Sequence, residues 1–161
     1  MSPANAAVWL DVIAAELSEH DAENAATYAA NAKAAKETLT QTVAEVEQIL
    51  APAKDTNFVV FHDAYHYFEA HFGVEARGSI SLGDAAAPSP SRIESIQDVV
   101  REHKVTCVFS EPQFSEGLVN TVLDGTNAGV AVIDPLGATL DAGPELYPNL
   151  LRAMAKSIAN C

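Results

Sequence analysis

Basic residues are scarce in this chain. Nine Lys and Arg stand against 22 Asp and Glu, a formal net charge of -13 over 161 residues. A nucleic-acid surface needs clustered cations to displace phosphate counterions, so nucleic acid is excluded as a partner. The same deficit removes any attraction to anionic membranes and favours a soluble protein. Long apolar runs are missing too, and none approaches the ~20 residues of a transmembrane helix. The opening "MSPANAAVWLDV" has no positively charged segment before an apolar core, so no signal peptide is expected there. An exported protein would already have lost it. No G-x-S-x-G, P-loop or G-x-G-x-x-G occurs, which leaves nucleophile and phosphate chemistry without a motif. Cysteine is reduced to Cys107, inside "VTCVFSE", and Cys161, the last residue. Two unrelated thiols and a disulfide are both open readings. A bridge would close a loop of roughly 55 residues, contribute about 4 kcal/mol in the chain-entropy picture, and imply an oxidising compartment.

Hydrophobic residues are 48% of the chain, enough for one domain with a substantial core. Ser2 and Pro3 open a first helix as N-cap and first helical residue. Val8, Trp9, Val12, Ile13 and Leu17 fall on one stripe of it. A second, longer helix is expected from an Asp21 cap, with Glu23 in its first turn, to a stop at Pro52. Its apolar positions are Tyr28, Ala32, Ala35, Leu39, Val43, Val46 and Leu50. About thirty residues give roughly 45 Å, longer than a compact domain needs. The first half of that stripe is mostly alanine, so the two halves should meet different neighbours.

From residue 58 the pattern alternates. "FVVFH" reads as a strand and "AYHYFEAHFG" as a helix ended by Gly73. "VEARGSIS" is a short strand, followed by the loop "LGDAAAPSPS" and the helix "SRIESIQDVVREH", capped by Ser89 or Ser91. "TCVFSE" is a buried strand, "SEGLVNTVLDGT" a helix, "VAVID" a strand and "LYPNLLRAMAKSIANC" the closing helix. The order predicts an α/β fold: a four-stranded parallel sheet covered by helices on both faces, preceded by a short helix and a long one.

In such sheets ligands gather outside the carboxyl ends of the strands. Three strands here end in polar groups: His62 with Asp63, Glu111, and Asp134. Imidazole with carboxylate suits a divalent transition metal, zinc in particular. A small α/β hydrolase-type enzyme is the alternative, with His62 as general base oriented by Asp63 or Asp134. A stand-alone interaction domain without metal is a third. His66 need not share a helical face with a His62 that ends a strand, His71 diverges from His66, and both are read as partly exposed helix residues.

"FVVFHDAYHYFEAHFGV", "CVFSEPQF" and "VIDPLGATLDAGPELYPNLLRAMA" together resemble the C-terminal lobe of the zinc-binding proteins of bacterial zinc ABC importers, the ZnuA-like family. The likeness extends over nearly the whole chain. It implies two α/β lobes joined by a long helix, with the metal between them, in a periplasmic, non-enzymatic protein that serves an importer permease. His62 matches the second lobe's metal histidine, Asp134 the aspartate of D-P-L-G, and Glu111 a rim glutamate that supports the site. Cys107 and Cys161 match a disulfide pair found in part of the family. By the same resemblance, residues 1–20 belong with an absent first lobe, 21–52 are the inter-lobe helix and 53–161 the C-terminal lobe. The family's other metal histidines lie in the first lobe or just before this chain starts. The chain is therefore expected to be truncated, with a half-built site that binds Zn2+ weakly. The stripe on the first helix, lacking its lobe, is expected to support association with a second copy.

Overall fold

The computed structural model describes residues 1–81, 83, 88–114 and 117–161. Half of the loop "LGDAAAPSPS" and the first two residues of "SEGLVNTVLDGT" lie outside the described residues. Strand β1 is Phe58–His62, β2 Ser79–Ser81, β3 Cys107–Ser110 and β4 Gly129–Val132. They form one sheet in the order β2-β1-β3-β4, every pair parallel. Helices α1 (Pro3–His20), α2 (Ala25–Leu50), α3 (His66–Phe72), α4 (Pro90–Glu102), α5 (Gly117–Leu123) and α6 (Leu146–Ala159) complete the chain. This is the α/β architecture expected from the alternating pattern.

Alternation along the strands sends side chains to opposite faces, and both faces are covered. Phe58, Val60, Cys107, Phe109 and Ile133 pack on one side with Leu39, Val46 and Leu50 of α2, Phe68 and Phe72 of α3, and Leu151, Met154 and Ile158 of α6. Val59, Phe61, Ile80 and Val108 pack on the other with Ile96 and Val100 of α4 and Val119 and Val122 of α5. β4 is an outer strand, and Val130 and Val132 stay about half exposed. Cys161 is disulfide-bonded to Cys107, tying the end of α6 to the start of β3.

Ser2 caps α1 through Asn5 N–H, and Ser89 caps α4 through Arg92 N–H. Asp21 does not cap the long helix as expected. Its backbone N–H closes α1 on Leu17 O, and a 3-10 turn, Ala22–Asn24, intervenes before α2. The carboxylate is drawn instead to side-chain donors, Asn24 Nδ2 and Tyr28 Oη, each at 2.7 Å. β2 is shorter than "VEARGSIS", and its register with β1 is Val60 to Ser79 and His62 to Ser81. α2 has the expected two-part character. Ala32 is the buried residue of its first half, which lies against α1, while Leu39, Thr42, Val46 and Leu50 enter the core below α6. The α1 stripe remains outside: Val8, Trp9, Val12, Ile13 and Leu17 are 43% to 67% exposed. Among the described residues no helix is long and apolar enough to cross a membrane.

Candidate metal centre

The strand order sets the site. β1 leads outward to β2, and the chain then returns to lay β3 on the other side of β1. The crevice at such a reversal, outside the carboxyl ends, is the usual ligand position of an open α/β sheet. His62 is the last residue of β1 and Glu111 follows the last residue of β3. Because β1 and β3 run parallel side by side, the two side chains meet at the same rim. His62 Nδ1 lies 2.7 Å from Glu111 Oε1.

Glu111 is almost wholly buried, and its carboxylate has a second donor, Tyr65 Oη at 3.0 Å on the same Oε1. Burial pushes the Glu111 carboxyl up, while the hydrogen bonds from Tyr65 and His62 oppose that rise. Burial, with the neighbouring Glu111 charge, pushes the Tyr65 hydroxyl far up as well, so Tyr65 keeps its proton and donates it. An oxygen that already accepts from Tyr65 acts as an acceptor toward the imidazole, which assigns the proton of His62 to Nδ1. Nε2 then carries the ring's lone pair, and the buried carboxylate fixes both tautomer and ring direction. Packing holds the ring further: Phe114 meets it edge-on, with centroids 5.5 Å apart, and itself stacks on Phe61 at 4.5 Å.

Asp134 follows Ile133 at the end of β4 and is held by its own turn. Oδ1 accepts Leu136 N–H at 3.0 Å and Oδ2 accepts Ala138 N–H at 2.6 Å. Gln113 Nε2 reaches across from the segment after β3 to Oδ1 at 2.9 Å. Burial works against the charge, but the bonds from Gln113, Leu136, Ala138 and Gly137 outweigh it and hold the carboxyl below the usual range. Gly137 makes the turn: its φ is +69°, and a Cβ there would stand 3.3 Å from Leu140 Cδ1.

The rim encloses a cavity of about 370 Å3 whose lining includes His62, Glu111, Gln113, Phe114 and Leu136. The structure thus joins His62 to Glu111 directly and sets Asp134 in the adjoining turn. Among the described residues, no three His, Cys, Asp or Glu side chains gather as a complete metal-holding group. His66 and His71 are exposed on α3, as expected. The imidazole is oriented by Glu111, where the enzyme reading required Asp63 or Asp134. Tyr65 and Gln113 were not foreseen. The signal for Tyr65 was a tyrosine beside an apolar run, since a buried hydroxyl requires a partner. For Gln113 it was a polar side chain adjoining Glu111 at the rim.

The profile of the family described as "Zinc-uptake complex component A periplasmic" matches residues 1–161. The high-affinity zinc uptake system protein ZnuA of Brucella abortus is 49% identical over 161 residues, covering 100% of this chain and 48% of that protein. Among solved structures, a crystal structure of ZnuA superposes with a TM-score of 0.86 at 31% identity, over 99% of this chain and 59% of that one. FpvC of Pseudomonas aeruginosa, solved in complex with Mn2+, gives a TM-score of 0.83 at 25% identity, over 99% and 58%. The chain spans about half the length of the curated relatives it matches. The match along its full length makes this chain a member of the zinc-uptake complex component A family.

Proposed function

We propose that this chain is the metal-holding C-terminal lobe of a periplasmic zinc-binding protein that delivers zinc to the permease of an ABC importer. The observation that carries the reading is the His62–Glu111 contact at the strand-end rim, in a chain matched throughout by a zinc-uptake family. Zinc is cargo here. His62 Nε2 and an Asp134 oxygen are its ligands, and Glu111 orients the imidazole. A stable zinc site uses three or four protein ligands, so two supplied by this lobe leave water to fill the sphere and give weak binding.

The protein acts as a carrier and not as an enzyme. The hydrolase alternative finds no support: the chain has no nucleophile motif, and its relatives are uptake proteins. Residues 1–20 would pack with a first lobe, 21–52 would join the lobes and 53–161 would form the C-terminal lobe. The exposed α1 stripe borders a groove of about 770 Å3, lined by residues such as Ala32, Ala35, Leu39 and Tyr147. Trp9, Ile13 and Leu17 of the stripe are themselves walls of that groove, so one open apolar face is offered to a two-fold contact with a second copy. Sedimentation of wild type beside Trp9→Ser tests that contact, and a wild type that stays monomeric at high concentration refutes it.

Chelator-competition titration with Zn2+ tests the main reading. Wild type should bind weakly, with affinity fading as pH drops through the imidazole range because the metal needs neutral histidine. His62→Ala should abolish binding. Zinc binding that survives His62→Ala at wild-type strength overturns the assignment.

A further inference from the structure

The two edges of the sheet are finished differently. At β2 the carbonyl of Gly78 accepts Val60 N–H of β1, so alternation turns the backbone groups of Ser79 outward. Arg92 of α4 covers that edge by donating Nη2 to Ser79 O, and all three residues of β2 are buried. At β4 the inward residues are Gly129, Ala131 and Ile133. Gly129 N–H donates to Thr106 O at 2.8 Å, and Ile133 N–H to Ser110 O at 3.0 Å. Val130 and Val132 therefore turn their N–H and C=O groups away from β3. The two residues are 47% and 52% exposed, and among the described residues no further strand pairs with β4. Natural edges are commonly guarded by a charge, a proline or a covering element. β4 has no guard in its own sequence, since Gly125 to Ile133 contains neither a charged residue nor a proline.

We infer that β4 is a pairing edge for β4 of a second copy of this chain, joined antiparallel about a two-fold axis at Ala131. In that register Val130 of one copy lies opposite Val132 of the other, and each such pair exchanges two N–H···O=C bonds. Residues directly opposite share a face, so the four valines meet as one apolar cluster. The charge pattern selects a second copy as the occupant. Carried two residues further, the register sets Asp134 opposite Ala128, so the nearest acid meets no like charge although each chain has a net charge of -13. Antiparallel pairing also sends the two strand-end rims to opposite ends of the joined sheet, which leaves both His62 sites open. The contact is separate from the α1 stripe and does not depend on the metal reading. So short an edge gives an interface below the roughly 1,200 Å2 of stable complexes. The pairing is accordingly transient and is populated at high protein concentration.

Residue-resolved amide exchange by NMR, at low and at high protein concentration, tests the pairing. A dimer populated to about nine-tenths slows exchange at Val130 and Val132 about tenfold, because exchange then proceeds through the remaining monomer. The amides of Gly129, Ala131 and Ile133 face β3 and should not change with concentration, and their protection also shows that a variant has folded. Val132→Pro removes an outward donor that β3 does not use, and Val132→Lys places a charge on the edge. Each is set in wild type and in Trp9→Ser, which takes the α1 contact out of the comparison. Both Val132 variants should abolish the concentration dependence, and Trp9→Ser alone should preserve it. Val130 and Val132 amides that exchange freely at high concentration, or slowing that survives both Val132 variants, refute the pairing. Slowing that Trp9→Ser abolishes assigns the contact to α1 and refutes it as well. Protection independent of concentration assigns the edge to a covering segment of the same chain, and it too refutes pairing between copies. None of these outcomes bears on zinc binding at His62, which the chelator titration decides alone.

Discussion

Cys161, the final residue, is bonded to Cys107, the first residue of β3, with Cα atoms 5.6 Å apart although the two stand 54 positions apart in sequence. The bond fastens a helix end that would otherwise fray to the middle of the sheet. Closing a loop of that length contributes about 4 kcal/mol in the chain-entropy picture, or on the order of 10 °C in melting temperature for a domain this size. Reduction, or Cys161→Ser, should lower the melting temperature by that order. Equal melting curves with and without reductant would refute the contribution.

Glu111 and Tyr65 should affect zinc binding without touching the metal. Glu111→Ala leaves His62 without its orienting carboxylate and should weaken zinc binding 10- to 100-fold, roughly the usual effect of such partners. Tyr65→Phe removes one donor from a buried carboxylate and should cost about 1–2 kcal/mol of stability, with a smaller loss of affinity. Thermal melts and chelator competition on the two variants separate these effects. A Glu111→Ala protein with wild-type affinity would show that the imidazole needs no orientation.

Gly137→Ala should damage both the turn and the site. A positive φ strains any residue with a Cβ, and the added methyl meets Leu140 at 3.3 Å. A loss of roughly 1–3 kcal/mol is expected by the usual cost of such strain. Chemical denaturation measures it, and the Asp134 hydrogen bonds to Leu136 and Ala138 should weaken in parallel, seen as faster amide exchange at both residues.

Acid should loosen the corner between α1 and α2. Hydrogen bonds first from Asn24 and then from Tyr28 hold the Asp21 carboxyl below its ordinary value. A depressed folded pKa means that the unfolded chain binds this proton more readily. The stabilisation is therefore present above the unfolded value of about 3.9 and is lost as pH falls through the folded one. Amide exchange at Asn24 and Tyr28 should accelerate below about pH 4, the ordinary aspartate range, and Asp21→Asn should flatten that dependence.

Much of this was legible in the sequence, and the failures have physical causes. Alternation of apolar runs with amphipathic segments is enough to require parallel strands, and parallel strands bring His62 and Glu111 to one rim whatever the details. The roles of Tyr65 and Gln113 were hidden because each depends on a partner far along the chain, Glu111 and Asp134, that only the folded sheet brings near. Asp21 was misread as a helix cap because its carboxylate found two side-chain donors that outcompeted the backbone. The α1 stripe has helical spacing whether it faces a core or solvent, so periodicity could not tell that Trp9 stays outside.

One helix in this fold carries two stabilities. The second half of α2 is pinned by Leu39, Thr42, Val46 and Leu50, and Arg152 of α6 clasps it through Glu45 and Thr42. The first half lies along α1, where Ala32 is its one buried residue and the exposed Lys36–Asp11 pair adds an ionic contact. Local opening costs least where few apolar contacts must be broken. Deuterium should therefore enter the α1–α2 hairpin long before it reaches the sheet, with a gradient of protection rising along α2 itself from Ala25 toward Leu50. The hairpin can then adapt its angle to whatever meets it, while the rim that holds His62 stays fixed.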